Sequence, residues 1–280
     1  MSFGLTVLGS INLDLIVRVK ALPKAGETVT GGDYTALPGG KGANVAVVAK
    51  RLGAETEIMA AVGNDAYAAQ TLENLKCEGV YLDAVRRVEA HTGLAFITVS
   101  EDGENQIAVA SGANAAYAPS DVPKLCSDVL ITQFEIPAAV IEAALEGYTG
   151  FVAVNASPVR GGVEAILQRA DLIIVNEGEA AHYDLAAHEG LVAVTLGAKG
   201  AELRKNGDLI AKAVPPKVDV VDTTGAGDAF AAALTVALAE KQTPQEALDF
   251  ACAVGALTTT KLGTQTASPT RAEVDALLGR

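Results

Sequence analysis

From about residue 128 onward, the sequence alternates short apolar runs with segments of helical pattern. The apolar runs are DVLITQFE, FVAVNAS, DLIIVN, LVAVTLG and VDVV, and the segments between them include PAAVIEAALEGY, GGVEAILQRA and EGEAAHYDLAAH. Near-continuous apolar strands separated by amphipathic helices form parallel sheets that are covered on both faces. The alternation therefore predicts an α/β fold of three layers, with a mostly parallel central sheet between two layers of helices.

Polar residues stand at the ends of these predicted strands. They are Glu135, Asn155, Asn176, Thr195 and Asp222, each at or just beyond the last residue of an apolar run. Open α/β sheets bind ligands at the edge formed by the carboxyl ends of their strands, so we expect a ligand site there. Taken singly, each residue is explained more simply as a helix cap or a turn former.

The stretch VDVVDTTGAGDAF joins a β-branched run, Val218 to Val221, through a glycine turn to a long Ala/Leu helix that opens at Asp228. Such a turn aims free backbone N–H groups and the positive end of the helix dipole at one point, which creates an anion site. Gly225 and Gly227 let the backbone approach the anion without a Cβ in the way. A carboxylate beside an anion site suits a base that deprotonates a hydroxyl while the site holds a phosphoryl group. The alternative is that Asp228 only caps the helix.

Extended segments dominate the N-terminal third of the chain. Residues 5 to 19 and 27 to 37 have strand patterns, and residues 93 to 110 predict a hairpin. We infer a small β-rich lid, made by segments of about 11–37 and 92–111, that folds over the carboxyl edge of the sheet and excludes water from the reaction. The alternative is a peripheral sheet with a structural or dimerising role.

The stretch PGGKGANVAVVAKRLGA, residues 38 to 54, is a second glycine-rich motif. It is not a Walker A phosphate loop, because that motif would need glycine at position 35 and Ser or Thr at position 42, where the chain has Thr35 and Gly42. GAGDAF is not a dinucleotide-binding fingerprint either, because Phe230 occupies the third glycine position. What remains is a Gly-Gly-Lys-Gly turn that offers N–H groups, followed by the amide of Asn44, to a polyhydroxy compound.

Asn12 and Asp14 lie two residues apart on a predicted strand, so they project to the same face of the sheet. An amide and a carboxylate in this arrangement could bind two adjacent hydroxyl groups of one ligand, which is typical of sugar recognition. An Asn-x-Asp pair alone is a weak signal, and a turn or capping role is the simpler alternative.

The charge balance limits the partners of this chain. Its 34 acidic and 21 basic residues give a net charge of −13, whereas nucleic acids and anionic membranes require a basic face. No apolar run approaches the length of a membrane span and no leader pattern is present, so we expect a cytoplasmic protein. Cys77, Cys126 and Cys252 have no disulfide or zinc spacing and are expected to be buried small hydrophobes.

A capping box, Thr243-Pro244-Gln245-Glu246, with proline at the first helical position, predicts the start of the last long helix. The pattern that follows predicts a helix that ends at Gly263. This helix should pack beside the helix after GAGD, so residues near Cys252 could line a nucleotide pocket.

Three motifs, GSINLDLIV, PGGKGANVA and DTTGAGDAF, stand in the order and at the distances of the ribokinase or PfkB family of carbohydrate kinases, which the chain resembles over essentially its whole length. The stretches GETVTG, ENQIAVASGANAAYAP and ITQFEIP resemble the ribokinase branch. The resemblance implies a single ribokinase-like domain, residues 1 to 280, that transfers the γ-phosphoryl group of ATP to a primary hydroxyl, O5 of D-ribose in that branch. It also implies Mg²⁺, a K⁺ site and a homodimer formed through the lid.

The resemblance also implies a role for each matching residue. Asp228 is the general base, and the amides of Gly225, Ala226 and Gly227 form the anion hole. The residues implied in sugar binding are Asn12, Asp14, Gly39, Gly40, Lys41, Asn44 and Glu135. Those implied in binding the nucleotide, with an Asn-x-x-Glu pair that organises Mg²⁺ and phosphate, are Asn176, Glu179, Thr195, Gly197, Lys199, Gly200 and Cys252. The residues implied in a monovalent-cation loop are Asp222, Thr224, Thr258, Lys261 and Gly263.

The chain departs from the family pattern at three places. Cys252 stands where many relatives have His or Asn near the adenine, and Ala267 stands where ribokinases have a serine near the cation, so a weaker cation site is expected. Only about 15 residues separate DLIIV from LVAVTLG, where relatives have an additional helix. Two alternatives stay open: a kinase for a nucleoside or another sugar, such as fructose or 2-keto-3-deoxygluconate, and a non-catalytic sugar or nucleotide sensor.

Overall fold

The structure, a computed structural model, describes residues 3–30 and 32–280. Its strands are β1 (Gly4–Leu8), β2 (Asn12–Val19), β3 (Tyr34–Gly39), β4 (Glu55–Gly63), β5 (Val85–Val88), β6 (Gly93–Ser100), β7 (Asn105–Ala110), β8 (Val129–Gln133), β9 (Phe151–Asn155), β10 (Leu172–Asn176), β11 (Leu191–Thr195), β12 (Ala201–Lys205) and β13 (Asp208–Ala213). Its α-helices are α1 (Lys41–Arg51), α2 (Ala66–Cys77), α3 (Ala113–Ala116), α4 (Ala138–Leu145), α5 (Glu164–Arg169), α6 (Glu177–Ala180), α7 (Ala226–Ala239), α8 (Pro244–Thr258) and α9 (Arg271–Leu278). Over these described ranges, none of the helices has the length and apolar character needed to cross a bilayer.

The central sheet has nine strands in the order β13-β12-β11-β10-β9-β8-β1-β4-β5. Neighbours from β11 through β5 run parallel, and β12 and β13 add an antiparallel hairpin at one edge. Alternate residues of each strand point to opposite faces. Ile131 of β8 therefore joins one apolar cluster with Val45 of α1 and Leu234 of α7. Its neighbour Leu130 joins a second cluster with Val140 of α4, so the three-layer α/β fold is confirmed.

A second, smaller sheet has the order β3-β2-β6-β7, with β2 and β6 parallel and the outer pairs antiparallel. Because β2 begins after only three residues beyond β1, this sheet rises from the carboxyl edge of the central sheet. Asn12, the first residue of β2, pairs with both Gly39 and Gly93. The strand predicted within residues 27–37 begins only at Tyr34 and continues to Gly39.

The apolar run Val218 to Val221 is not a strand, contrary to the prediction. The edge of the sheet is occupied instead by the β12–β13 hairpin, whose turn residues Asn206 and Gly207 have φ angles of 51° and 81°. Two positive φ angles are the geometry that an Asn-Gly pair favours, so this dipeptide was the available signal for the hairpin. After β13, Pro215 and Pro216 lack the N–H groups that a further strand would need.

Asp222 consequently follows an irregular segment rather than a strand. The other polar residues predicted at strand ends do lie there, because each apolar run ends where its backbone leaves the sheet. Glu135 stands two residues after β8, and the last residues of β9, β10 and β11 are Asn155, Asn176 and Thr195.

The helix predicted to end at Gly263 ends at Thr258. The hydroxyls of Thr259 and Thr260 donate to the backbone carbonyls three residues earlier, at 2.7 Å each. The N–H groups of Thr259 and Thr260 also bond to carbonyls three residues back instead of four, so the α-helix ends in a tighter turn. The preceding helix, α7, begins two residues before Asp228 rather than at it.

The segment EGEAAHYDLAAH forms only the four-residue α6, because the N–H groups of His182 and Tyr183 bond to carbonyls three residues back instead of four. Cys77 and Cys126 are exposed, contrary to expectation, and only Cys252 is buried. Cys77 is exposed because α2 turns a different face, with its short apolar stripe, toward the core.

Candidate functional site

Asp228 is the third residue of α7 and is 5% exposed. Gly225 caps this helix with a φ of 79°, and a Cβ there would lie 2.9 Å from the Cγ2 atom of Thr264, so glycine is required. Within residues 3–30 and 32–280, the N–H groups of Gly225, Gly227 and Asp228 find no acceptor, which leaves them available to an anion. The N–H of Ala226, assigned above to the same anion hole, already donates to the carbonyl three residues earlier at 3.3 Å.

Three donors surround the Asp228 carboxylate. Asn44 Nδ2 donates to Asp228 Oδ2 at 3.0 Å, and Asn155 Nδ2 donates to Asp228 Oδ1 at 3.3 Å. Lys41 Nζ lies 3.6 Å from Oδ1. The Asp228 charge raises the pKa of Lys41 while burial opposes this, and the charge of Glu135 raises the pKa further. An ammonium and two amides therefore suit an ionised carboxylate that can accept a proton.

Carboxylates crowd the pocket on one side of Asp228. Asn12 and Asp14 share one face of β2, and this face looks toward Glu135 and Asp228. Burial raises the pKa of Asp14 to about 7, and the charges of Glu135 and Asp228 act in the same direction. Lys41 is the neighbouring cation that offsets this charge. The pocket thus offers several hydrogen-bond acceptors to a ligand rich in hydroxyl groups.

The Gly-Gly-Lys-Gly turn anchors this pocket to the central sheet. A Cβ at Gly40, which has a φ of 91°, would lie 2.7 Å from a backbone nitrogen of β2, and one at Gly39 would clash with the β2 carboxylate. The Lys41 N–H donates to Glu135 Oε2 at 3.2 Å. The hydroxyl of Ser10 donates to the same oxygen. Glu135 is thereby held at the strand end where the turn approaches it.

Asn114, in the short helix α3, belongs to the same pocket although the sequence motifs do not single it out. The Ile11 N–H donates to Asn114 Oδ1 at 3.0 Å, and Asn114 Nδ2 donates to Asn12 Oδ1 at 2.7 Å. Asn114 is fully buried, as polar groups with complete hydrogen bonding can be. The available signal was an asparagine within the run SGANAA, directly after a predicted hairpin. Ser10 was also not predicted as a residue of this site.

On the other side of Asp228 lies a cavity of about 490 Å³. Four of the predicted nucleotide residues line it together with two from the GAGD turn: Thr195, Gly197, Gly200, Cys252, Ala226 and Gly227. Most of the remaining lining is apolar, including Pro215, Pro216, Val218, Val220 and Phe230. A slot of this size and character suits a planar base.

Two of the predicted nucleotide residues need separate description. Lys199 is exposed and is not among the residues that line the cavity. Burial raises the pKa of the Cys252 thiol to about 12, so this side chain is a neutral thiol inside an apolar wall. Neither supplies a charge to the interior of the cavity.

Asn176 and Glu179 form a reciprocal capping box at α6. The Asn176 N–H donates to Glu179 Oε2 at 2.9 Å, and the Glu179 N–H donates to Asn176 Oδ1 at 2.8 Å. The Glu179 charge also contributes to the raised pKa of Lys41, so this carboxylate lies near the cleft. Mg²⁺ usually keeps several waters and takes one or two carboxylates with substrate phosphates. The pair fits a role through water.

Asp222 connects the GAGD turn to the loop after α8. Its Oδ1 accepts the N–H and the hydroxyl of Thr224 at 2.9 and 2.6 Å, and its Oδ2 accepts the Gly263 N–H at 3.2 Å. The Thr258 hydroxyl donates within α8, and the Lys261 ammonium contacts a carboxylate of α9, so Lys261 could offer only its backbone carbonyl to a cation. In the part of the chain that the structure describes, no cluster of three or more His, Cys, Asp or Glu could hold a metal.

Comparisons with known proteins agree with this geometry. A family model described as pfkB family carbohydrate kinase matches residues 3–271. The chain is 36% identical over 293 residues to a ribokinase of Bacillus subtilis, covering 98% of this chain and 99% of that protein. The ribokinase structure of Thermotoga maritima has 32% identity and a TM-score of 0.89, over 99% of this chain and 100% of that one. The structure of Arabidopsis thaliana ribokinase complexed with ribose and ATP has 32% identity and a TM-score of 0.83, over 100% of both chains.

Proposed function

This chain belongs to the pfkB family of carbohydrate kinases, and from that membership we propose that it transfers the γ-phosphoryl group of ATP to O5 of D-ribose. One observation carries the proposal: Asp228 lies beside N–H groups without acceptors, between a polar pocket and an apolar cavity. Full-length similarity to ribokinases, one of them solved with ribose and ATP, supports this sugar and this nucleotide. The products are D-ribose 5-phosphate and ADP.

The polar pocket positions the sugar in this proposal. The groups that hold it are the side chains of Asn12, Asp14, Asn44 and Glu135 and the turn Gly39, Gly40 and Lys41. Asp228 accepts the O5 proton as O5 attacks the γ-phosphorus, and the bond from that phosphorus to the departing ADP oxygen breaks. The N–H groups of Gly225 and Gly227 stabilise the charge on the transferring group. Orientation and charge stabilisation supply most of the rate enhancement.

The apolar cavity holds the nucleotide. Cys252 and its apolar neighbours contact the base, while Thr195, Gly197 and Gly200 offer backbone groups to the rest of ATP, with Lys199 at the rim. Asn176 and Glu179, which cap α6 together, would bind Mg²⁺ through its waters, and the metal would neutralise charge on the phosphate oxygens.

A K⁺ site belongs to the loop held by Asp222. The backbone carbonyls of Thr224, Thr258, Lys261 and Gly263 would be its oxygen donors, together with the Asp222 carboxylate, which accepts the Thr224 and Gly263 N–H groups. Ala267 provides no side-chain oxygen, so we propose a weak site. A cation there would fix the loop from which the anion hole begins, without contacting the sugar.

The second sheet serves as the lid, residues 11–37 and 92–111, and as the surface through which two chains pair. Tyr34 and Phe96 lie on one face of this sheet and are 65% and 49% exposed. Exposed apolar faces of this kind mark association sites. Light scattering on the purified protein should give twice the monomer mass, whereas a monomeric mass at enzyme-assay concentrations would contradict the pairing. We place the enzyme in the cytoplasm, where ATP is supplied.

A coupled assay of ADP release tests the proposed function across pentoses, hexoses and nucleosides. We expect D-ribose to have the highest kcat/KM, by at least about tenfold, because discrimination by hydrogen-bonding sites is at least of this order. Proton-coupled ³¹P NMR of the product should show the triplet of a phosphate on the CH₂ carbon of O5. A preference for another acceptor would show that the substrate is not D-ribose. The absence of ADP release with every acceptor would contradict the kinase activity and favour a non-catalytic sensor.

A further inference from the structure

A chain of three amide side chains leads away from the Asp228 carboxylate. Asn44 Nδ2, on α1, donates to Asp228 Oδ2 at 3.0 Å. Gln265 Nε2, in the loop after α8, donates to Asn44 Oδ1 at 3.2 Å. Asn74 Nδ2, on α2, donates to Gln265 Oε1 at 2.6 Å. Gln265 and Asn44 are 2% and 6% exposed, so water does not compete for the bond between them.

The charge of Asp228 sets the direction of every amide in this chain. An ionised carboxylate only accepts hydrogen bonds, so Asn44 presents its NH₂ group to it and turns its oxygen toward Gln265. Gln265 then has to donate with its own NH₂ group and accept from Asn74. Reversing any one amide would place two donors or two acceptors face to face in a buried site.

The two oxygens of Asp228 depend on this chain to different degrees. Oδ1 is held by Asn155 Nδ2 and Lys41 Nζ. Among the residues that the structure describes, Asn44 is the one donor to Oδ2. The orientation of Oδ2 therefore depends on whether the Asn44 amide stays in its present orientation, and Gln265 is the residue that fixes it.

We infer that Gln265 is a positioning residue for the phosphoryl transfer proposed above, on which this inference rests. Gln265 acts through Asn44, because its side-chain bonds go to Asn44 and Asn74 rather than to Asp228. Its backbone also follows Gly263, whose N–H bonds to the Asp222 carboxylate at the base of the GAGD turn. The loop that supports the anion hole thus also orients the base.

The Gln265→Met variant tests this role, because methionine matches the length of glutamine and makes no comparable hydrogen bond. We expect kcat for ribose phosphorylation to fall about tenfold, the effect expected when one hydrogen bond to a charged group loses its alignment. The KM for ATP should change by less than about twofold, because Gln265 does not line the nucleotide cavity. Gln265→Glu should lower kcat more, because a carboxylate cannot donate to Asn44 Oδ1.

A double-mutant cycle with Asn44→Leu decides whether Gln265 acts through Asn44. Once the amide at position 44 is absent, adding Gln265→Met should lower kcat by less than about a further twofold. If the reduction in kcat of the double variant equals the product of the two single-variant reductions, the inference is wrong. If Gln265→Met does not fold, Asn74→Leu replaces it in the cycle, with an expected loss of about threefold in kcat because Gln265 loses one of its two partners. An unchanged kcat would overturn the inference there too.

Thr71→Val is the matched control for loss of a buried hydrogen bond. The Thr71 hydroxyl bonds to carbonyls within α2, the helix that carries Asn74, and these hydrogen bonds do not involve the amide chain. This variant should lower the unfolding temperature and leave kcat within about twofold of the wild type. If Gln265→Met behaves in the same way, its role is structural and the inference is wrong. A wild-type protein without ADP release overturns the proposed function itself, whereas an active wild type with unaffected variants overturns the inference alone.

Discussion

The two sides of the cleft that meet at Asp228 are built differently. On the sugar side, the polar atoms belong to side chains, such as the amide of Asn12 and the carboxylates of Asp14 and Glu135, each held by specific partners or by burial. On the nucleotide side, the cavity is lined by backbone turns and by small or apolar residues. In the proposed function, sugar recognition therefore depends on individual side chains, whereas nucleotide binding depends on backbone shape and apolar contact.

Asp228→Asn removes the group that both sides share, so it should have the largest effect. Asparagine keeps the volume of the side chain, but its amide cannot accept the O5 proton, and its NH₂ group would face one of the two amide donors, Asn44 or Asn155. We expect kcat to fall by roughly 10² to 10⁴, the usual contribution of a positioned general base. ADP release at saturating substrates measures kcat, and calorimetry shows whether ribose still binds.

Asp208→Asn provides the control for this substitution, because Asp208 is an exposed aspartate at the start of β13, in the hairpin at the sheet edge. It should keep kcat within about twofold of the wild type, as surface substitutions usually do. If Asp228→Asn retains more than about a third of the wild-type kcat, the base lies elsewhere and the two sides do not meet at this residue.

Asp14→Ala should affect the sugar side alone. A hydrogen bond from a ligand hydroxyl to a carboxylate contributes about 1.5–3 kcal/mol, so the KM for ribose should rise at least about tenfold. The KM for ATP should stay within about twofold, because no lining residue of the nucleotide cavity belongs to β2. Asp102→Ala, on the exposed turn of the β6–β7 hairpin, serves as the control within the same sheet. Equal rises in both KM values would mean that the sheet itself is displaced.

The difference between the two sides also explains how far the sequence predicts the site. Lys41 and Asn44 follow from a motif, because their residue types carry the chemistry and the glycine turn limits where they can lie; the structure brings both to Asp228. Gln265 could not be predicted, because its partner Asn44 is 221 positions away and only the fold brings them together. Lys199 is a different case, since a loop motif does not show which way a side chain turns: its side chain is exposed and does not line the cavity.

The fold was predictable to a similar degree and for similar reasons. Apolar alternation predicts the parallel strands correctly, because burial on both faces leaves a local pattern. The run Val218 to Val221 has the same local pattern but is not a strand, because the β12–β13 hairpin already occupies the sheet edge. Strand propensity depends on the local residues alone, here a run of four. A position in the sheet depends also on which other segments of the chain occupy its edge.

The pH dependence of ribose binding separates Asp14 from the neutral groups of the same pocket. Burial and the neighbouring carboxylates raise the pKa of Asp14 to about 7, so the free protein holds this group largely protonated below that pH. Ribose hydroxyls donate more strongly to the ionised carboxylate than to the neutral acid. The KM for ribose should therefore fall about tenfold between about pH 6 and about pH 8. Asp14→Asn, which does not titrate, should flatten this dependence.

The same pKa has a consequence for stability, with a defined sign. Between the ordinary value of 3.8 and about 7, the folded protein binds more protons at Asp14 than the unfolded chain does. The favourable contribution of Asp14 to the free energy of unfolding is complete below pH 3.8. It is lost as the pH rises through about 7. In the absence of ribose, the unfolding temperature of Asp14→Asn should increase relative to that of the wild type as the pH rises. A constant difference between the two at all pH values would contradict the assigned pKa.

The smallest effect we expect concerns K⁺, on the backbone-built side of the cleft. Asp222 joins the GAGD turn to the loop at Gly263, and a cation held there would fix the anion hole without contacting either substrate. Its effect should therefore be on kcat, with an increase of about two- to fivefold, limited because Ala267 supplies no side-chain oxygen. KCl titrated against choline chloride at constant ionic strength separates this activation from charge screening.

Asp222→Asn is the variant that distinguishes a cation site from a purely structural loop. Asparagine can keep one oxygen acceptor for the Thr224 or Gly263 N–H, but it lacks the negative charge that a cation requires. The variant should therefore lose most of its response to K⁺ while keeping the basal rate within about threefold. A rate for the wild type that stays flat from zero to about 100 mM K⁺ would contradict the site. The protein alone would then hold the anion hole, through the hydrogen bonds that Asp222 already makes, and both sides of the cleft would be complete without a monovalent cation.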